Sequence, residues 1–189
     1  MTTTAPSLSS LSALSGTYAL DPAHTRIGFV ARHAMVTKVR GSFNEFEGTV
    51  VVDGGDLSRS TASVIIESAS IDTRNAQRDA HLRSNDFLAM DEHPTITFVS
   101  TAARRTGDAE FELDGDLTVR GVTQSVTIPF VFEGTALDPF GNTRVGFEGS
   151  VVINRKDFGV SYNAALETGG VLISDKVTLE FEVSAVKTG

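Results

Sequence analysis

The feature that most constrains this chain is a strict two-residue alternation through its second half. Phe111, Leu113, Leu117 and Val119 share one face of a single run, against Glu110, Glu112, Asp114, Asp116 and Thr118 on the other. Successive side chains of a strand point to opposite faces, so this run is a strand with one buried face and a row of carboxylates in water. The pattern returns with Val126, Ile128, Phe130 and Phe132, and again with Val145, Phe147, Val151 and Ile153. The last run sets Val177, Leu179, Phe181 and Val183 against Thr178, Glu180, Glu182 and Ser184.

The first half alternates too. Ile27, Phe29, Ala31 and His33 share a face, as do Phe46, Gly48, Val50 and Val52, then Val64 with Ile66 and Ile96 with Phe98. Turn-forming pairs separate the runs: Gly54-Gly55, Arg120-Gly121, Asp138-Pro139, Gly141-Asn142 and Gly169-Gly170. Long one-sided strands in sequence order predict an all-β fold, an antiparallel meander of about eight strands closed into a barrel. Closure removes the exposed edges. A two-sheet sandwich is the competing architecture. A length of 189 residues suits one domain. We place it at 16–187, behind a Ser-, Thr- and Ala-rich tail over 1–15 that reads as flexible. Leu8, Leu11 and Leu14 in that tail are spaced at three, which allows one helical turn.

Only Ser70 to Pro94 does not read as strand. Asp72 and Thr73 are candidate helix N-caps, helix formers run from Arg74 to Leu82, and Pro94 closes the segment. The expectation is a short α-helical insert near 74–84, serving as a plug at one barrel end or as a lid beside a pocket. The formal charge is −8 and the chain has no cysteine. The charge argues against nucleic acid or an anionic bilayer surface as the main partner, because both need a basic face. The missing thiols exclude a disulfide framework and a thiolate zinc site. The first residues lack the basic and apolar regions of a secretory signal, and no run reaches 18 apolar residues. The default expectation is a cytoplasmic chain.

The inward faces mix large and small residues, with 12 Phe in the chain and glycines interleaved. A barrel of about eight strands can fill itself with side chains or hold one ligand, and composition does not choose between them. His24, His33, His81 and His93 lack the i, i+4 or H-x-H spacing of a preformed metal site, so no metal is expected. Asp21-Pro22-Ala23-His24-Thr25 reads as a turn that fixes a corner, or as a polar site at a barrel mouth. Arg78, Asp79 and His81 form one charged set and Arg155 with Asp157 a second. A salt bridge between the sets would fix the insert to the barrel; alternatively an arginine binds an anionic head group. No nucleophile elbow, phosphate loop or zinc-protease motif is present, and no enzymatic activity is expected.

Several segments together resemble the YceI family of polyisoprenoid-binding proteins. They are Leu20-Asp21-Pro22-Ala23-His24-Thr25 with Phe29 and His33, Gly41-Ser42-Phe43 with Phe46, and Ser70-Ile71-Asp72-Thr73. Arg78-Asp79-Ala80-His81-Leu82, Asp86-Phe87 and Pro94-Thr95-Ile96-Thr97-Phe98 follow, then Gly115 to Thr123 and Arg155-Lys156-Asp157-Phe158-Gly159. Tyr18 stands where such chains often carry another aromatic, and many relatives are exported while this chain shows no export signal. The resemblance implies a lipocalin-like barrel holding a long apolar chain: a polyprenyl chain, an isoprenoid quinone or a fatty-acid derivative. Strand faces and motif position nominate Phe29, Phe43, Phe46, Phe98, Phe111, Phe130, Phe132, Phe147 and Phe181 as wall residues. His24, His33, Arg78, Asp79, His81, Arg155 and Asp157 are the head-group candidates. No cofactor beyond such a lipid is expected, and a homodimer through exposed edges is an open expectation. The rivals are an enzyme on an isoprenoid or quinone, using His24 or His81 for proton transfer, and a solidly packed interaction module.

Overall fold

The computed structural model describes residues 5–189. Eleven strands alternate with short turns and one α-helix: β1 (Gly16–Leu20), β2 (Arg26–His33), β3 (Thr37–Phe43), β4 (Phe46–Val52), β5 (Thr61–Glu67) and β6 (Ile71–Asp72), then α1 (Ala76–Arg83). β7 (Thr95–Arg105), β8 (Glu110–Val119), β9 (Val122–Leu137), β10 (Thr143–Asn154) and β11 (Lys176–Lys187) complete the chain. Three of the barrel's staves are each broken once. β1 and β2 both pair antiparallel with β11, on either side of the corner at Asp21–Thr25. β3 and β4 form the second stave, with β3 beside β2 and β4 beside β1. β5 and β6 form the third, beside β4 and β3. The five long strands β7 to β11 follow in order, and β11 returns to the first stave. The result is a closed antiparallel barrel of eight staves. The ladder returns from β11 to the first stave and closes the sheet on itself, so the sandwich alternative falls away.

The corner at Asp21 is an Asx-turn. Its Oδ1 accepts the Ala23 amide at 3.0 Å, and the buried Thr25 hydroxyl bonds the Ser184 carbonyl on β11 at 3.0 Å. These bonds replace ladder bonds where the stave bends.

The residues read as a flexible tail are folded where they are described. Leu8–Leu14 form a 3₁₀-helix, capped by the Ser7 side chain on the Ser9 amide. Residues 1–4 lie outside the described residues. The three-residue leucine spacing is the period of a 3₁₀-helix, so Leu8 and Leu11 fall on one side and are buried. The fully buried Tyr18 donates its hydroxyl to the Leu14 carbonyl at 2.8 Å, and Gly54 donates its amide to the Ser15 hydroxyl at 2.9 Å. This turn is the floor of the barrel.

The other end is covered by residues 73–94. The helix begins later than the sequence suggests. Its N-cap is Asn75, whose side chain accepts the Arg78 amide at 2.9 Å. Neither Asp72 nor Thr73 is free to cap it. The Thr73 amide and hydroxyl are both committed to Asp79, Asp72 accepts the Arg74 amide, and Arg74 has a left-handed φ of 62°. Two turns at this end also place non-glycine residues in the left-handed region: Arg120 before Gly121, and Ala34 with Met35. Each such residue costs roughly 1–2 kcal/mol. At Arg120 the cost is offset, because its guanidinium bonds the Asn85 and Phe87 carbonyls, both at 2.6 Å, and ties the lid to the β8–β9 turn.

The floor generates a test. Leu11→Ala is expected to destabilise the protein by about 2–3 kcal/mol, lowering Tm by roughly 5–10 °C. A loose tail would leave calorimetric Tm unchanged.

Candidate functional site: an apolar tunnel

The inward faces of the staves do not meet. They enclose a cavity of about 290 Å³, lined almost wholly by apolar side chains. Its wall runs from Leu11 and Leu57 at the floor to Phe158, Val160 and Ile173 under the lid. Along β11 alone Val177, Leu179, Phe181 and Val183 all face it, a run of about 20 Å at ~3.3 Å per residue. The volume is thus spread along a tunnel rather than gathered in a round pocket. Phe29, Phe43, Phe130, Leu179, Phe181 and Val183 face inward yet keep part of their surface accessible, as expected of side chains around unfilled space.

What keeps the lumen open is the way the large rings are stored. Phe29 lies directly across from Gly41, and Phe130 directly across from Gly149. Phe98 leans over Gly115 on β8. A Cβ on any of these glycines would fall closer than 3.0 Å to the ring beside it. Each ring lies along the wall instead of projecting to the axis. The mix of Phe and Gly that left the sequence ambiguous is therefore the device that makes room.

Seven of the nine nominated phenylalanines lie on the cavity wall: Phe29, Phe43, Phe98, Phe111, Phe130, Phe147 and Phe181. Two do not. Phe132 is fully buried and packs on Phe147, at 5.7 Å between ring centres, where a bulge between Gly146 and Phe147 shifts the register of β10 against β9. Phe46 packs against the core where β3 gives way to β4. The sequence reading missed the lid's contribution. Leu82, Phe87 and Leu88 face down into the cavity, as do Phe158 and Val160 from the loop after β10. Phe87 and Phe158 stand in segments without periodicity, and only their place in the family-like motifs marked them.

The polar candidates do not gather at a mouth. Of the seven, Arg155 alone borders the cavity, and its guanidinium is committed. It donates to the carbonyls of Val160 at 2.7 Å, Tyr162 at 2.8 Å and Ser174 at 2.9 Å, and stands 4.0 Å from Asp175. Burial lowers its pKa from the usual arginine value, and Asp175 opposes that. Arg78 bonds the Thr73 hydroxyl and carbonyl, both at 2.7 Å. Asp79 accepts from Thr73, and His81 meets Asp86 at 2.8 Å, edge-on to Phe87 and Tyr162. Asp157 is exposed; its carbonyl accepts from Gln124. The expected salt bridge between the two charged sets is not formed among the described residues. Arg78, Asp79 and Arg155 are each used locally, on backbone that has left the sheet ladder.

His24 and His33 lie away from the cavity wall. His33 closes the β2–β3 turn. At the Asp21 corner His24 Nδ1 is 2.7 Å from Asp21, which also receives Arg144 at 2.6 Å, and Arg144 reaches Asp138 at 2.9 Å. The Arg144 bond, then His24, hold the Asp21 carboxyl down at about 2. Asp138 also lies at about 2, chiefly through the Asn142 amide. Among the described residues no three His, Asp or Glu converge as metal ligands, and no helix is long and apolar enough to cross a membrane.

Comparison with known proteins agrees with this geometry. The family described as "YceI-like domain" matches residues 18–185. A UPF0312 protein of Staphylococcus aureus (strain MSSA476) is 39% identical over 169 residues, covering 89% of this chain and 95% of its own. Among solved structures, Burkholderia cenocepacia BcnA superposes with a TM-score of 0.77 at 24% identity, over 87% of this chain and 98% of that one. A polyisoprenoid binding domain from Saccharophagus degradans, described as implicated in plant cell wall breakdown, superposes at 0.70 and 14% identity, over 90% and 98%.

The corner generates a pH prediction. A carboxyl whose folded pKa is depressed adds stability above its ordinary value of 3.8, and that stability is lost as pH falls towards about 2. Arg144→Leu removes the largest cause for Asp21. It is expected to lower Tm at pH 7, with the difference from the parent shrinking between pH 4 and pH 2. A difference independent of pH would mean that Arg144 acts through packing alone.

Proposed function

We propose, from the premise that this chain belongs to the YceI-like family, that its barrel binds one long apolar chain of isoprenoid or related lipid type and leaves it chemically unchanged. The observation that carries this reading is the tunnel itself: a long unfilled interior whose inward rings are turned aside onto glycines. The S. degradans neighbour, named for polyisoprenoid binding, supports the ligand class. Each buried CH₂ contributes roughly 0.8 kcal/mol, so an isoprene unit contributes about 3–4 kcal/mol before ordering costs. Several units bind without any hydrogen bond, which fits a wall lined almost wholly by apolar side chains. A polyprenyl chain, a quinone tail and an acyl chain all meet this requirement. Holding such a chain out of water suits carriage, storage or sensing.

Binding without turnover is favoured over catalysis by the placing of the histidines. Neither His24 nor His81 lines the cavity, so neither is placed to move a proton on an occupant.

Leu179→Trp puts a large ring into the lumen from mid-strand. In an open tunnel, Tm is held or raised while affinity for a fluorescently tagged polyprenyl alcohol falls at least tenfold. In a solid core the same change overpacks and costs about 1–3 kcal/mol. Absence of saturable binding by the parent, or equal binding by the variant, overturns the proposal.

A further inference from the structure

The β2–β3 turn is the least explained strained element of the fold. Its Val36 amide bonds the His33 carbonyl at 3.0 Å, with Ala34 and Met35 between them at φ 50° and 58°. Left-handed φ at both central residues is the type I′ pattern, which favours Asn-Gly. Here the pair is Ala-Met. At Arg120 a similar conformation accompanies side-chain bonds to the lid. At Met35 it accompanies exposure: Met35 is 57% and Val36 76% accessible. Among the described residues, the tip is bonded to the rest of the barrel through the Ala34 amide to the Leu172 carbonyl, at 2.7 Å. Exposed Val171 stands next to it.

Directly below this apolar tip the outer face is basic. Arg32 pairs across the ladder with Lys38, so two cations face each other, an unfavourable placing for a cross-strand pair. Arg40 lies two pairs further down, at the next position on the same face, and Lys176 starts the neighbouring strand β11. All four are exposed, and among the described residues Arg32, Lys38 and Lys176 form no ion pair. On this face Glu180 is shared by Arg26 and Arg40, and Glu182 lies further down β11, across from Arg26. The chain's acidic excess lies elsewhere, notably in the row Glu110, Glu112, Asp114 and Asp116 on β8, on the opposite side of the eight-stave barrel. A protein of charge −8 that masses unpaired cations under a strained apolar tip is polarised.

We infer that the β2–β3 tip is a docking point for an anionic lipid bilayer: Met35 and Val36 enter the interface while Arg32, Lys38 and Lys176 meet the lipid phosphates. Apolar side chains at headgroup depth beside a basic collar are the two elements of reversible surface binding. The geometry also has a consequence. Ala31 and Ile173, at the base of the tip, line the tunnel, so docking sets that end of the cavity against the membrane. The inference stands on the turn and its collar, not on the identity of the tunnel's occupant.

The test is flotation of the full chain with vesicles of phosphatidylcholine containing phosphatidylglycerol, against vesicles of phosphatidylcholine alone. Binding to the anionic vesicles, weakened by salt, is expected. Each cation near such a surface is worth roughly fivefold in affinity, so Arg32→Gln with Lys38→Gln should cost roughly twenty-fivefold. Ala34→Asn with Met35→Gly supplies the residues a type I′ turn prefers. It should hold or raise Tm while vesicle binding drops at least tenfold, a divergence that a purely structural turn would not show. Probe binding in the tunnel is measured on the same variants and should be retained, which separates this inference from the lipid-binding proposal. No flotation of the parent at low salt, equal binding to neutral vesicles, or parental flotation of the Asn-Gly variant overturns it. So does self-association that the Asn-Gly variant abolishes, since that would assign the tip to a second copy.

Discussion

The fold depends on where the large aromatic rings go. An eight-stave barrel has just enough room to be filled by its own side chains. With phenylalanine on nearly every inward face, filling would be the ordinary outcome. Three close approaches prevent it. Phe29, Phe98 and Phe130 each lie over a glycine of the adjoining strand, Gly41, Gly115 and Gly149. The rings thereby gain contact with the wall and surrender the axis. Elsewhere the interior closes. Tyr18, Phe132, Val145 and Ala185 are fully buried together near the floor, and this packed side supports the hollow one. Stability and vacancy are thus separated within one core.

The two ends obey a different rule. Chain that leaves a ladder exposes carbonyls that must still be bonded. Here arginines satisfy them. Arg83 bonds the Ala69 and Ile71 carbonyls, Arg78 that of Thr73, Arg120 those of Asn85 and Phe87, and Arg155 those of the loop after β10. A planar guanidinium with five donors suits this task better than a lysine. The lid is therefore fastened by charged donors to neutral acceptors, with no carboxylate partner required. Arg78, Asp79 and Arg83 are spent on fixing the insert over the apolar side chains it turns inward.

Much of this was legible in the chain. Two-residue periodicity gave the strand faces correctly from Ile27 to Val183, because half-buried antiparallel strands must alternate. The helix, the turns at Gly121 and Gly141, and the Asx corner at Asp21 followed from residue types with specific backbone preferences. The helix start did not. Asp72, Thr73 and Asn75 are all good caps, and the choice was made by Asp79 reaching back to Thr73, a contact no local rule contains. The floor was misread because Ser and Thr composition outweighed three leucines whose partners lie far off in sequence. Phe46 and Phe132 were misjudged since a kink and a bulge displace residues that alternation alone counts as equivalent. The polar residues were legible as charge in family-like motifs but not in their partners: Arg78, Asp79 and Arg155 bond backbone, while His24 and His81 meet the carboxylates of Asp21 and Asp86.

The central claim is that the open interior exists to hold an apolar chain. The most direct measurement is mass spectrometry on protein purified from its own host, taken first intact under native conditions and then as an organic extract. The account predicts a bound mass near one equivalent, released by the solvent as a single class of long-chain isoprenoid or acyl lipid. A native mass equal to the bare chain, with an extract free of lipid, would contradict it and leave the cavity as unfilled space without an occupant.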